Sequence, residues 1–515
     1  MAKGLILGPI LGVESDSLYT VTLVTDKAVT STEINYLTQG SLSHQHHSVR
    51  ASKIGDIYSG QVWRAELHLA AEAAGSMIEY QVRADGDAID DKAGLNKWQF
   101  YLPSMAEKPK FAYVSCNGFS DYKLMTSTEQ PYALWEQMAI AHRASPFSLL
   151  LMGGDQVYAD SIWSQLSSLK TWNDLGRAEK IKRKATREMR GQIDRFYSEL
   201  YVDRWNKQPM AALLASVPSL MMWDDHDIID GWGSYPEDIQ QSDVYQAIFA
   251  SAKKHFALLQ LRGSANTSLI AANTAVDGAV CPQPVSLDGW RHFSSLVRFR
   301  GYQILSLDNR SQRSITQVMD SAHWQDVASA LAEQCGEGDL LVLSAVPVVY
   351  RDFSFAESAV DATPWEEEIT DDLKDHWRAK EHEGERLKLV MRLLNNAIAR
   401  KGKTVILSGD VHVGCLGIIR DKRGAVPVNI HQVVSSGIVH PAPSYLQWLG
   451  ILAVTNDDLE YLDETRLITA DMIKPHGSNK YIRSRNFVTL QEGTDAKLWV
   501  NWICEGKDQP SYPLL

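Results

Sequence analysis

Cysteine is scarce in this chain: five residues in 515, at positions 116, 281, 335, 415 and 504. No two form a CxxC pair, which excludes a zinc ribbon and a dense disulfide framework, and a reducing compartment is expected. Long apolar runs are missing too. The stretch Phe147–Met152 is six residues long, the length of a buried strand and far short of a membrane span. Positive charge is in deficit: 51 Lys and Arg stand against 63 Asp and Glu, a formal net charge of −12. Such a surface repels phosphate-rich polymers, so nucleic acid is not expected as a partner. A small anionic substrate stays compatible, because a bound metal sets its own local field. There is no internal repeat. The N-terminal stretch MAKGLILGPILGVESDS shows no signal-peptide apolar region, cleavage site or twin-Arg pair, and a cytoplasmic location is expected.

What is present falls into two textures. Up to about residue 105, short segments rich in Val, Thr, Tyr and Leu alternate with turns such as Asp85-Gly86-Asp87. This predicts an immunoglobulin/fibronectin-like β-sandwich over residues 1–105. Pro103 and Pro109 flank the expected linker. Beyond it, helical stretches alternate with short buried strands. Residues 110–515 are therefore predicted to form a layered α/β domain, two sheets flanked by helices. A basic excursion, Ser161–Arg190, is read as a solvated helical face. Ser43 with His44–His47 is read as a polar loop whose histidines cluster by chance.

Four loops carry the chemistry, each after an apolar strand, where ligands bind in open α/β folds. They are Val114–Gly118, Gly153–Asp160, Trp223–Asp227 and Gly409–His412. Taken singly, each has an ordinary explanation. Cys116 suits a small buried hydrophobe, Gly-Gly-Asp suits a turn, and His412 suits a satisfied core histidine. Asp224, Asp225 and Asp227 within four residues would repel one another unless a cation lay among them. Two metals about 3.5–4 Å apart would activate water for in-line attack on a phosphate ester. Asp155 fits the bridging carboxylate. A thiolate from Cys116 and a phenolate from Tyr158 fit one hard ion, while Asp225 and Asp410 fit the other. His412 lies two residues from Asp410 and reaches the same side of extended backbone. Arg310 follows the strand expected at Tyr302–Asp308. It either clamps phosphate oxygens or pairs with Asp308 or another loop carboxylate. Asn117 is expected to face the substrate.

In order, GGDQVY, DDHD and GDVH resemble the motifs of calcineurin-like metallophosphoesterases. The chain more closely resembles the alkaline phosphatase D (PhoD-like) branch. There the first motif carries Cys, as in Ser115-Cys116-Asn117, the third reads WDDH, as in Trp223–His226, and the fourth GDVH. Leu307–Arg310, Ser344–Pro347 and Asp371–Trp377 also look familiar. The resemblance implies a β-sandwich followed by a phosphatase domain. It further implies a ferric ion on Cys116 and Tyr158, Asp155 bridging to a second metal, and Asp225, Asp410 and His412 as further ligands. Calcium, or another divalent ion, is implied at the second site, and His226 is implied to assist the leaving group. Asp230 is a candidate extra ligand. The expected activity is hydrolysis of a phosphomonoester or phosphodiester by a metal-bound hydroxide. A binding module without catalysis and a nuclease using the basic stretch Arg177–Arg190 are the competing readings. Substrate and oligomeric state stay open.

Overall fold

The structure is a computed structural model that describes residues 4–39, 44–70, 74–263, 274–276, 279–281, 292–334, 337–352, 377–400, 402–506 and 508–514. Asp371 to His376, Cys335 and the side chain of Cys281 lie outside the described residues.

Two large sheets carry the fold. The first has ten strands, and at its centre Phe111–Val114, Leu149–Gly153 and Ser219–Met222 run parallel. The second has nine, with Tyr302–Ser306, Asp339–Leu343, Thr404–Ser408 and Val428–Val434 parallel at its centre. These strands are buried on both faces, and their alternate residues enter different cores. Leu149 and Leu151 join one core while Leu150 and Met152 join another. Leu341 and Leu343 join that first core, and Leu340 and Val342 face a third. The shared core thus lies between the sheets. Helices cover the outer faces: Ala133–Ala144, Arg187–Trp205 and Asp243–His255 on one sheet, Ser321–Ser329 and Glu383–Arg400 on the other. A mixed α/β architecture with several sheets is what the alternating pattern predicted.

Register sets the site. Val114 pairs with Met152 and Gly153 with Met222, so the three strand ends are level. In the other sheet Leu343 pairs with Leu407. The loops leaving these ends therefore converge on one rim of the double sheet.

The first 105 residues divide between two sheets. Leu5–Val13, Leu18–Thr25, Ser52–Ile57 and Gly60–His68 extend the ten-stranded sheet. Leu5–Val13 runs parallel to Ser219–Met222, with Gly12 opposite Ser219. The remaining strands form a separate five-stranded sheet whose Tyr36, Tyr80, Trp98 and Phe100 enter the shared core. Hydrogen bonding thus runs unbroken between segments on either side of residues 105–110.

One reading needs correction. His44–Arg50 is a strand paired with Thr32–Gln39, not a loop. The His47 ring stacks on Tyr36 at 4.8 Å and meets Thr38 Oγ1 at 3.1 Å. Polar residues on a solvated sheet face hide a strand from composition. The basic excursion matches its reading: Lys182, Arg183, Lys184 and Arg187 are exposed. Among the described residues, no helix is long and apolar enough to cross a membrane.

Candidate active site

Four of the expected ligand positions share an unusual backbone. Cys116, Asp155, Asp410 and His412 have φ of 50°, 54°, 67° and 52°. Left-handed backbone is uncommon for residues with a Cβ and costs about 1–3 kcal/mol each. Such strain persists only where surroundings fix it. Cys116 N–H donates to Gly154 O at 3.3 Å and Asn117 N–H to Asp155 O at 2.8 Å, tying the first loop to the second. Gly154 N–H donates to Met222 O at 2.9 Å, tying the second to the third strand. Gly154 itself has φ 106°, and a Cβ there would lie 2.9 Å from Ala345 Cβ and 3.0 Å from Asp224 Cβ. The two sheets approach that closely at this point.

The converging side chains form two overlapping sets. Ligand atoms of Asp155, Asp225 and His226 lie within 4.8 Å of one another, as do those of Asp224, Asp225 and Asp410. Asp225 is common to both. Asp155 Oδ1 and the half-buried His412's Nδ1 are shielded from solvent and find no hydrogen-bond partner among the described residues. The Tyr158 hydroxyl, also buried, turns toward the Cys116 sulfur and finds no oxygen or nitrogen partner. Without a cation the charged forms are disfavoured. Burial, then Asp224, pushes the Asp155 carboxyl well above its ordinary range. Burial, then Asp155, raises the Cys116 thiol, and burial, then Cys116, raises the Tyr158 phenol. Burial, with His440 and His226 nearby, keeps His412 neutral. Orphaned acceptors, crowded acids and a neutral imidazole are the donor set of a cation site, and metal binding reverses these protonation preferences.

His226 is the exception among these groups. Burial alone would lower its pKa, but Asp160, Asp225 and Asp230 overcome that and hold it well above the ordinary value. Its Nδ1 meets Asp160 Oδ2 at 2.8 Å, and Nε2 lies 3.8 Å from Asp230 Oδ1. Asp160 Oδ1 accepts the Asp230 N–H at 2.8 Å, and the imidazole stacks on Tyr158 at 4.2 Å. The ring is thus held at both nitrogens and along one face.

Other motif residues are braces. Asp227 accepts from the backbone N–H groups of Gln156 and Val157, both at 3.1 Å, and of Asp224 at 2.9 Å. Burial still pushes it up to about 7. Arg310, fully buried, pairs through Nε with Asp224 and lies 3.5 Å from Asp225 Oδ1. Of the two alternatives read from the sequence, the geometry displays the ion pair with loop carboxylates, and the Arg310 backbone N–H also donates to Asp308 Oδ1 at 3.1 Å. Asp308 also accepts from Trp223 Nε1 at 2.9 Å and from the Phe293 N–H at 2.8 Å. Asn117 turns inward: its Oδ1 accepts from Trp135 Nε1 at 2.9 Å, and its Nδ2 donates to Gln156 O at 3.3 Å.

The family described as PhoD related phosphatase matches residues 77–364, which include the first three loops and Arg310. The chain belongs to that family. An uncharacterized protein of Saccharomyces cerevisiae is 27% identical over 415 residues, 70% of this chain and 56% of that protein. The chain thus spans little more than half the length of that relative. A solved structure of PhoD superposes with a TM-score of 0.58 at 11% identity, covering 98% of this chain and 88% of that one. A purple acid phosphatase from yellow lupin (Lupinus luteus) seeds gives 0.50 at 12%, covering 98% and 73%. At such identities these two likenesses establish a shared fold.

In this chain the structure adds residues that the sequence reading left out. Asp160 closes the loop that opens at Asp155, and its signal was a second carboxylate in one motif. Asp224 stands beside Asp225 in the same run and joins Asp225 and Asp410 in one set. His440 stacks on His412 at 3.7 Å, and its N–H donates to Cys116 O at 3.1 Å. It had no local signal, because the loop carrying it offers no neighbouring ligand type.

Proposed function

We propose that this chain hydrolyses small phosphate esters, monoesters or diesters, at a centre of two metal ions. The observation that carries the reading is the crowding of Asp155, Asp224, Asp225 and Asp410, flanked by orphaned acceptors on Asp155 and His412. Cys116, Tyr158 and Asp155 would hold a ferric ion. Asp225, Asp410 and His412 would complete the ligands, with calcium or another divalent ion at the second position. Ions held there would lower the pKa of a water and neutralise the phosphate oxygens.

The protein's own groups account for the rest. His226, pinned through Nδ1 by Asp160, would present its Nε2 edge to the departing oxygen as the proton donor. Arg310 offsets the charge of Asp224 and Asp225 and fixes their rotamers. Asn117 is assigned a bracing role in place of a substrate contact, since both ends of its amide are engaged. The unpaired, buried thiols of Cys116, Cys415 and Cys504 support a reducing compartment.

The test is hydrolysis of an aryl phosphate and its diester, with elemental analysis of the purified chain. Turnover of at least one ester, abolished by chelator and restored by metal, is expected. Absence of turnover under every metal combination, in a folded protein that binds metal, would leave the binding-module reading in its place.

A further inference from the structure

The loop carrying His440 runs directly into an unusual helix. Tyr445–Val454 reads YLQWLGILAV, ten residues without a charge. Tyr445, Leu446, Leu449 and Leu452 are 64%, 79%, 42% and 37% exposed. Positions 445, 449 and 452 follow helical spacing, so one apolar stripe points outward. Fraying does not explain the exposure. Ser444 and Gln447 form a reciprocal cap, with Gln447 N–H on Ser444 Oγ at 3.3 Å and Ser444 N–H on Gln447 Oε1 at 2.9 Å. Trp448 turns inward and packs on Tyr481 at 5.2 Å.

Two anchors put this helix beside the catalytic centre. It starts five residues after His440, whose ring lies on His412. Tyr481 and Ile482 pair with Cys415 and Gly414, in the strand that begins two residues after His412. A further exposed apolar side chain flanks the same loop. Ser120 Oγ meets His440 Nε2 at 3.3 Å, and Tyr122, two residues on, is 76% exposed.

Size and charge narrow the occupant. The outward stripe amounts to on the order of 400 Å², the range in which exposed apolar patches are commonly functional. That is about half of what each partner contributes to a stable protein interface, roughly 800 Å², which disfavours a second copy. Tyr and Leu without acidic residues, edged by a cation, suit the boundary of a lipid layer. The cation is Arg483, whose guanidinium lies 5.5 Å over the Tyr445 ring and donates to Pro443 O at 3.1 Å. The chain's net charge of −12 opposes long-range attraction to an anionic surface, so attachment would rest on apolar insertion.

We propose that the helix Tyr445–Val454 rests on a lipid surface beside the active site, and that the phosphate esters cleaved there carry an apolar group embedded in it. The substrate class rests on the phosphoesterase reading above; the lipid contact does not. The full chain is tested by flotation with vesicles of zwitterionic phosphatidylcholine, against the double variant Leu446→Asp, Leu449→Asp. Circular dichroism verifies the fold, and Leu446→Gln serves as a milder second variant. Wild type is expected to float equally at about 0.1 M and about 0.5 M salt, since apolar insertion is not screened. The double variant should lose at least about tenfold of that binding while turning over a soluble aryl phosphate at the wild-type rate. Wild type staying in the aqueous layer, a double variant that floats as well, or binding abolished by salt would overturn the proposal. So would a wild-type dimer that the substitutions turn into a monomer without any vesicle binding, which would assign the stripe to a second copy. Vesicle binding as expected, with no ester turned over under any metal, would sink the phosphoesterase reading and leave the lipid contact standing.

Discussion

Asp160 never stood out as a ligand, yet its carboxylate decides what His226 can do. A buried imidazole is ordinarily neutral, and here Asp160, Asp225 and Asp230 reverse that. His226→Ala is expected to lower kcat by about 10²–10⁴-fold, the usual size of a lost general acid, with metal content unchanged. Asp160→Asn should lower kcat by about 10–100-fold, as loss of an orienting partner does. Steady-state rates and elemental analysis of both variants test this, and loss of metal in His226→Ala would make His226 a ligand. Cys116 is the second residue where one atom decides. Cys116→Ser keeps the volume but removes an easily ionised donor, so the fold should survive while iron and nearly all activity are lost. Cys415→Ser and Cys504→Ser should retain both. Iron content equal in all three would leave a dimetal site without the thiolate. Cys116, Asp155 and Asp225 were legible because each sits in a short motif after an apolar strand. His440 was not, because only the folded loop lays it on His412.

A strand that ends in a left-handed residue makes an abrupt corner, and this site has them after Phe111–Val114, Leu149–Gly153 and Thr404–Ser408. The corner lifts the next side chain off the sheet and over its rim, where ligands from both sheets meet. Gly154 allows the sharpest of these. In Gly154→Ala the added Cβ would lie 2.9 Å from Ala345 Cβ and 3.0 Å from Asp224 Cβ, closer than carbon atoms pack, on a backbone that disfavours it. A loss of about 1–3 kcal/mol in unfolding free energy is expected, together with weakened metal binding as Asp155 and Asp224 shift. Urea unfolding and metal titration measure the two effects, and an unaltered protein would show the approach to be relaxed in solution. At this scale the sequence was informative, because strand length, apolar run and the Gly-Gly-Asp turn are all local. It missed His44–Arg50, where alternate polar residues imitate a loop.

Across the whole molecule, several histidines far from the centre are buried in neutral form. His142 and His431 are lowered to about 4 by burial, helped by nearby cations, and His255 is lowered to about 4 chiefly by burial. Their folded pKa lies below the unfolded value of about 6.5. The unfolded chain therefore binds more protons as pH falls from about 6.5 toward 4, and stability is lost across that window. The contribution of these three rings to the melting temperature should be lost between about pH 6.5 and 4. His142→Gln should flatten part of the decline. A melting temperature independent of pH across this range would contradict the burial of these rings. Which strands neighbour which was the least legible property. Gly12 and Ser219 are brought together only by pairing across some two hundred positions, and no local pattern encodes such a register.

That pairing has a practical edge. Leu5–Val13 covers one side of Ser219–Met222, and the next residues down the chain are Trp223–Asp227. A fragment starting near residue 110 would expose a bare β-strand immediately beneath the loop Trp223–Asp227. Bare strands recruit other chains. The texture change near Pro109 thus invites a cut that the architecture forbids: such a fragment should be recovered as aggregates on size exclusion, and supplying residues 1–105 as a separate chain should be needed to keep it in solution.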